Sequence, residues 1–140
     1  MASVIFNWPI RVYYEDTDGG GVVYHSNYLN FMERARTEWL RDLGFGQASL
    51  KDELGVMIVV HALNIDYHSP ARFDDALIVT SQLTKIGGSS FEFEQVIKRD
   101  ELVLTRATVR LVCVDANKFK PVPIPQMIKE KMAKENIKKI

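Results

Sequence analysis

The chain has 140 residues, 46% of them hydrophobic, 10% aromatic and 26% charged, a mixture that builds one core-containing domain and argues against global disorder. Eighteen basic residues balance eighteen acidic ones, so no net field points to nucleic acid as a partner. A single cysteine, Cys113, excludes an internal disulfide and a thiol-rich metal site. No apolar run approaches the roughly 18 residues of a membrane span, and Met1–Trp8 lacks a basic, signal-like lead-in; a soluble protein of a reducing compartment, the cytoplasm, is expected.

A first strand is expected around residues 8–14, with Pro9 near its start or on a sheet edge, because proline cannot donate to a ladder. Glu15-Asp16-Thr17-Asp18-Gly19-Gly20-Gly21-Val22-Val23 then joins carboxylates to a backbone that can turn sharply or approach a ligand. From Tyr28 to Leu43 the apolar residues Tyr28, Phe31, Met32, Ala35, Trp39, Leu40 and Leu43 recur at helical spacing. That predicts a long amphipathic helix stopped near Gly44, with Ser26 or Asn27 as its cap. A short helical segment is expected over 48–54, before Gly55. The period then changes. Strands are predicted at 56–65, 76–86, 89–98 and 103–114, with Gly87-Gly88 bending the chain between two of them. Phe91, Phe93, Gln95 and Ile97 alternate with Glu92, Glu94, Val96 and Lys98, one set for the core and one for solvent or a second subunit. Three prolines, Pro121, Pro123 and Pro125, lead out of the sheet to a terminal helix over 126–138 whose lysine-rich end should fray. The order strand, long helix, several antiparallel strands gives a single α+β domain over 1–140, one helix covering one sheet face. The other face must be covered by oligomerisation or be unusually polar, and apolar residues on both faces favour oligomerisation.

Chemistry concentrates at Tyr14–His25. Asp18, beside flexible backbone and shortly before a helix, is placed to activate water or to attack an acyl carbon, while amides at the helix start can stabilise an oxyanion. His25 can orient water, bond the reacting group or shuttle a proton. The plainer alternatives stand beside these: Asp18 can organise the Gly19–Gly21 corner, Asp16 can cap or turn, and Tyr14 can pack in a core or an interface. No Gly-x-Ser-x-Gly elbow, P-loop or His-Glu-x-x-His pattern is present, so a serine hydrolase, a phosphate loop and a metal site are not expected. Cys113, within an apolar strand pattern, is read as packing.

The run Val12-Tyr13-Tyr14-Glu15-Asp16-Thr17-Asp18-Gly19-Gly20-Gly21-Val22-Val23-Tyr24-His25-Ser26-Asn27-Tyr28, followed by Phe31-Met32-Glu33-Arg34-Ala35-Arg36, resembles the YbgC subgroup of hotdog-fold acyl-CoA thioesterases, which are similar to the 4-hydroxybenzoyl-CoA thioesterase class. Further matching runs are Asp66-Tyr67-His68-Ser69-Pro70-Ala71-Arg72, Asp74-Asp75 and Arg110-Leu111-Val112-Cys113-Val114-Asp115, so the resemblance covers roughly 6–128. It implies a curved antiparallel sheet wrapped around a long central helix, dimers with a continuous sheet, active sites at the subunit boundary, and a homotetramer built from two homodimers. It implies hydrolysis of an acyl-CoA to a carboxylic acid and free coenzyme A, with no cofactor beyond the coenzyme A of the substrate. Asp18 falls at the catalytic carboxylate and His25 at the residue whose main-chain N–H polarises the thioester carbonyl. Tyr14 is associated with the site, in positioning, since a phenol of pKa about 10 is a poor base at neutral pH.

Acyl length, coenzyme A against acyl carrier protein as carrier, and the choice between base and nucleophile for Asp18 stay open. Arg72, Arg106 and Arg110 are all candidates for the coenzyme's phosphates, and none is singled out. A hotdog hydratase or dehydratase, and a non-enzymatic adaptor linked to the Tol–Pal envelope system with which the subgroup is associated, are the competing readings. Lys129, Lys131, Lys134, Lys138 and Lys139 suit either a solvated helix end or an acidic partner.

Overall fold

The computed structural model describes residues 5–133 and the backbone of 138–139. In chain order these residues form β1 (Ile5–Arg11), α1 (Asn27–Asp42), α2 (Gln47–Ser49), β2 (Val56–Tyr67), β3 (Ala76–Ile86), β4 (Ser90–Arg99), β5 (Leu102–Asp115), α3 (Gln126–Ala133) and β6 (Lys138–Lys139). The sheet runs β1-β3-β4-β5-β2, with every neighbouring pair antiparallel, and β6 adds to β3 in parallel. Register shifts at Val60/Ala62, Leu83/Lys85 and Ile97/Lys98 are the bulges that bend and twist such strands. The result is the expected α+β hotdog arrangement, a bent antiparallel sheet around one long helix.

Alternation decides which face meets α1. On β4, Phe91, Phe93, Gln95 and Ile97 are all at most 1% exposed, and on β5 Thr105, Ala107, Val109, Leu111 and Cys113 are buried beside them. From the helix, Tyr28, Phe31, Met32, Ala35, Trp39 and Leu40 close onto this surface, the i, i+3, i+4 stripe legible in the sequence. Trp39 sets its indole edge-on to Phe93 at 4.7 Å. The outer face of β4 and β5 carries ion pairs: Arg106 pairs with Glu94 at 2.8 Å, and Glu92 lies between Arg110 at 3.6 Å and Lys85 at 3.9 Å. The same face also carries apolar residues, among them Val96, which is 9% exposed and paired with Arg106.

One inward residue is polar and needs explaining. Gln95 Nε2 donates to the Met32 carbonyl at 3.0 Å and to Ser81 Oγ at 2.9 Å, while its Oε1 accepts from Arg36 Nη1 at 2.8 Å. The amide thereby ties α1 to β3 and β4, and burial pushes the Arg36 pKa down, with Glu33 opposing. Gln95→Leu should destabilise the domain by about 1–3 kcal/mol, because it orphans a half-buried guanidinium donor and a serine hydroxyl; a urea melt that matched wild type would refute this.

Several expected boundaries shift. The first strand covers 5–11 rather than 8–14, so Tyr13 and Tyr14 have left the sheet. Pro9 sits inside β1 opposite Ile78, tolerated because β1 is an edge strand. Ser26 holds the N-cap position of α1 without a side-chain cap bond, and Asn27 is already helical. The segment expected at 48–54 begins one residue earlier, as α2 followed by a π-type turn at Leu50–Leu54. The terminal helix ends at Ala133. Of the rest of its expected span, 134–137 lie outside the described residues and Lys138 belongs to β6, opposite Lys85.

Candidate active site

After β1 the chain stays tied to the sheet. The Val12 N–H reaches the Asp75 carbonyl at 2.9 Å and the Asp74 N–H reaches the Val12 carbonyl at 2.9 Å. Tyr14–Asp16 then forms one 3-10 turn, fastened by Asp16: its Oδ2 accepts the Tyr13 N–H at 2.8 Å. The Asp16 carbonyl accepts both the Tyr24 N–H at 3.0 Å and Asn27 Nδ2 at 2.8 Å. Asp16 is 8% exposed, and its work is structural.

Thr17 and Val23 oppose each other as an antiparallel bridge, and Val22 opposes Arg72 in a second one. The glycines therefore form the tip of a small hairpin whose second limb is paired to the 71–73 segment. Gly19 and Gly21 turn this tip at φ of +90° and +85°, where a side chain would be strained. At the tip the Asp18 N–H donates to the Val22 carbonyl at 3.0 Å, and Asp18 Oδ1 accepts the Gly20 N–H at 2.8 Å. The corner-forming role considered for Asp18 is thus real, and it uses one carboxylate oxygen. Among the described residues no donor holds Oδ2.

The other limb delivers the start of α1. Asn27 N–H donates to the Tyr24 carbonyl at 2.9 Å. Since the C=O and N–H of a trans peptide point in opposite directions, that bond also aims the His25 N–H away from the helix, and no hydrogen bond among the described residues consumes it. Behind it, the Tyr67 hydroxyl donates to the His25 carbonyl at 2.9 Å and the Tyr67 ring packs edge-on to Tyr28 at 5.5 Å. Tyr28 in turn accepts the Ala71 N–H at 3.0 Å. Burial first, with the Ala71 bond opposing, pushes the Tyr28 phenol above its ordinary pKa. A raised folded-state pKa stabilises the fold fully below the unfolded value near 10 and is lost as pH rises through the folded one. Stability should therefore fall at strongly alkaline pH, less steeply in Tyr28→Phe.

Asp18 and His25 thus lie on the two limbs of one hairpin. Tyr14 lies on the same segment, 71% exposed, with its ring edge-on to Phe73 at 5.9 Å rather than in a core. The His25 ring rests on Tyr24 at 4.4 Å. No hydrogen bond or ring contact joins Tyr14, Asp18 and His25 to one another among the described residues. Nor do they line the cleft of about 100 Å³ between α1 and the sheet, whose walls combine Glu33 and Arg36 with Leu40, Val60, Phe91 and Phe93. The sequence reading passed over two parts of this assembly: Gly20 as the donor that fixes Asp18, and Tyr67 as the brace under His25. Tyr67 stood only inside a matching run, and nothing local marks a tyrosine whose partner is 42 residues away.

Residues 12–132 match the model of the thioesterase-like superfamily. The chain is 50% identical over 124 residues to the acyl-CoA thioesterase YbgC of Haemophilus influenzae, covering 89% of this chain and 91% of that one. It is 46% identical over 129 residues to an acyl-CoA thioester hydrolase YbgC of Escherichia coli, covering 91% and 96%. Among solved structures, a 1,4-dihydroxy-2-naphthoyl-CoA thioesterase from Synechocystis superposes with a TM-score of 0.86 at 26% identity, covering 95% of this chain and 98% of that one.

Proposed function

Because this chain belongs to the thioesterase-like superfamily and is an acyl-CoA thioesterase, we propose that Asp18 is its catalytic carboxylate and the His25 N–H its oxyanion donor. The observation that carries this reading is the half-anchored carboxylate: Oδ1 is fixed by the Gly20 N–H at 2.8 Å, so the group is oriented while Oδ2 stays available. Water, deprotonated by Oδ2, attacks the thioester carbon; alternatively Oδ2 attacks and forms a mixed anhydride that water then opens. In either route the carbonyl oxygen gains charge as the new bond forms, and the C–S bond breaks as that charge returns. Coenzyme A leaves as a thiolate that takes a proton from solvent. The pre-aimed His25 N–H and the dipole of α1 stabilise the oxyanion without reorganising. The exposed His25 ring passes protons to and from solvent, and Tyr14 positions substrate.

In one chain Asp18 is exposed to solvent, whereas acyl transfer gains from a water-poor site. The edge of β2 left unpaired among the described residues offers a means of closure. This edge strand has 12 residues, with Val60 at 49% and Tyr67 at 47% exposure, an arrangement that invites edge-to-edge pairing. A homodimer joined along β2, and a homotetramer of such dimers, fits it. No helix among the described residues is long and apolar enough to cross a membrane, and an enzyme of the cytoplasm is the location proposed. The carrier is coenzyme A, with acyl carrier protein thioesters as the second substrate class to test.

The test is thiol release from short, medium, long and aromatic acyl-CoAs, with Asp18→Asn beside wild type. Turnover that survives in the variant would sink the assignment of Asp18. Cys113 is 1% exposed and burial pushes its thiol pKa up, so the folded enzyme should give almost no background with a thiol reagent. A companion variant probes the anchor. A Cβ at Gly20 would stand 3.1 Å from Asp18 Oδ1, so Gly20→Ala must displace the carboxylate by a few tenths of an ångström. We expect kcat to fall about tenfold, given the sensitivity of such steps to small misplacements, with the melting temperature little changed. An unaltered kcat would show that the Gly20–Asp18 contact is irrelevant to the reaction.

A further inference from the structure

Three arginines stood as equal candidates for the coenzyme's phosphates. Two are now accounted for by the outer sheet face, Arg106 on Glu94 at 2.8 Å and Arg110 on Glu92 at 3.6 Å. The third is not. Arg72 is exposed, and its guanidinium makes no ion pair or hydrogen bond among the described residues. Its acidic neighbours are engaged elsewhere: Asp75 Oδ2 takes the Arg99 guanidinium at 2.7 Å and the Arg72 backbone N–H at 2.8 Å, and Asp74 lies 3.9 Å from Arg11.

Register then relates Arg72 to Asp18. Asp18 N–H bonds the Val22 carbonyl, which sets Asp18 opposite Val22, and Val22 is bridged to Arg72. The bonds Val23 N–H to the Ala71 carbonyl at 2.9 Å and Phe73 N–H to the Gly21 carbonyl at 3.1 Å flank that bridge. Directly opposed residues of an antiparallel ladder put their side chains on one face, so Asp18, Val22 and Arg72 form one row across three short segments. Two ladder steps separate the Cα atoms of Asp18 and Arg72 by about 10 Å. The phosphates of coenzyme A lie beyond its pantetheine arm from the reacting sulfur. A phosphate-binding group must therefore share a face with the catalytic carboxylate yet stand off from it, as this guanidinium does.

Resting on the reading of Asp18 above, we propose that Arg72 binds a phosphate of coenzyme A and so anchors the far end of the substrate while its thioester lies at Asp18. A guanidinium offers a phosphate two parallel charge-assisted hydrogen bonds, and the side chain has no structural partner to surrender.

The experiment compares wild type with Arg72→Gln and Arg72→Lys, with Arg106→Gln as a control on an arginine that already has a partner. Calorimetric binding of free coenzyme A is measured first, then KM for one acyl group carried on coenzyme A, on 4′-phosphopantetheine and on pantetheine. Arg72→Gln should weaken coenzyme A binding and raise KM for acyl-CoA about tenfold, the loss expected for one charge-assisted contact, while the acyl-pantetheine KM stays level with wild type. Arg72→Lys should recover part of the loss, and Arg106→Gln should show none. A penalty shared by the phosphopantetheine thioester identifies the 4′-phosphate as the ligand; a penalty confined to acyl-CoA identifies the nucleotide phosphates. Unchanged coenzyme A binding in Arg72→Gln, or an equal penalty on all three carriers, would overturn the proposal. Either result is separable from failure of the Asp18 reading, which shows itself as wild-type turnover that Asp18→Asn retains.

Discussion

Asp18→Asn should lower kcat for thioester hydrolysis by about 10²–10⁴-fold, the range over which a positioned acid–base group contributes, and leave the fold intact. The substitution is chosen for what it keeps. An asparagine Oδ1 can still accept the Gly20 N–H that Asp18 now accepts at 2.8 Å, so the glycine tip retains its turn. What disappears is the basic and nucleophilic oxygen. A fall in kcat with an unchanged melting temperature and oligomeric state therefore separates catalysis from corner formation, the two roles that compete for this residue. Asp18→Ala would lose both at once and is the less informative change. A variant with kcat within threefold of wild type would place the chemistry elsewhere, since effects that small lie well below the ~10²-fold lower bound for such a group.

The same protein can choose between the two routes. In one turnover in ¹⁸O-labelled water, general-base catalysis puts the label into the released acid and none into the enzyme. If Oδ2 attacks first and water opens the anhydride at the aspartyl carbon, the first acid released is unlabelled and Asp18 acquires ¹⁸O. Opening at the acyl carbon labels the acid, as the base route does, so unlabelled first-turnover acid is the decisive outcome.

Local periodicity carried most of the architecture. The stripe from Tyr28 to Leu40 and the alternation of Phe91, Phe93, Gln95 and Ile97 put the correct residues against one another, because each signal is short-range and amplified by burial on one side only. Boundaries were less legible where backbone geometry overrides pattern. Tyr13 and Tyr14 extend an apolar run but leave the sheet, since Asp16 closes a turn on the Tyr13 N–H. The site divides in the same way. Asp18 and His25 stood out because carboxylate, glycines and a helix start are contiguous. Arg72 and Tyr67 join them only through pairing across more than 40 residues, a relation that composition and spacing do not encode. The role of Gln95 was hidden for the same reason: its place on the inner face was readable, its three partners were not.

The largest effect on stability is expected at Phe93. The ring is 0% exposed, edge-on to Trp39 at 4.7 Å and to Phe91 at 5.9 Å, where β4 meets the last turn of α1. Phe93→Ala should cost about 3–5 kcal/mol, the transfer free energy of the ring plus the cavity it leaves. Collapse cannot relieve much of this, because the space opens into the existing cleft of about 100 Å³ that Phe93 already lines, and the flanking Gln95 holds α1 and β4 at a fixed separation through its bond to the Met32 carbonyl. Phe93→Leu keeps most of the volume and should lose markedly less. Both changes lie away from the Asp18 hairpin, so residual kcat per folded molecule should stay near wild type below the melting transition. A urea titration fixes the stability difference, and a thiol-release assay on the same samples fixes the activity. A Phe93→Ala protein within 1 kcal/mol of wild type would mean that α1 re-seats on the sheet by more than close packing allows, and the three aromatic rings would then not be the clamp that holds helix and sheet together.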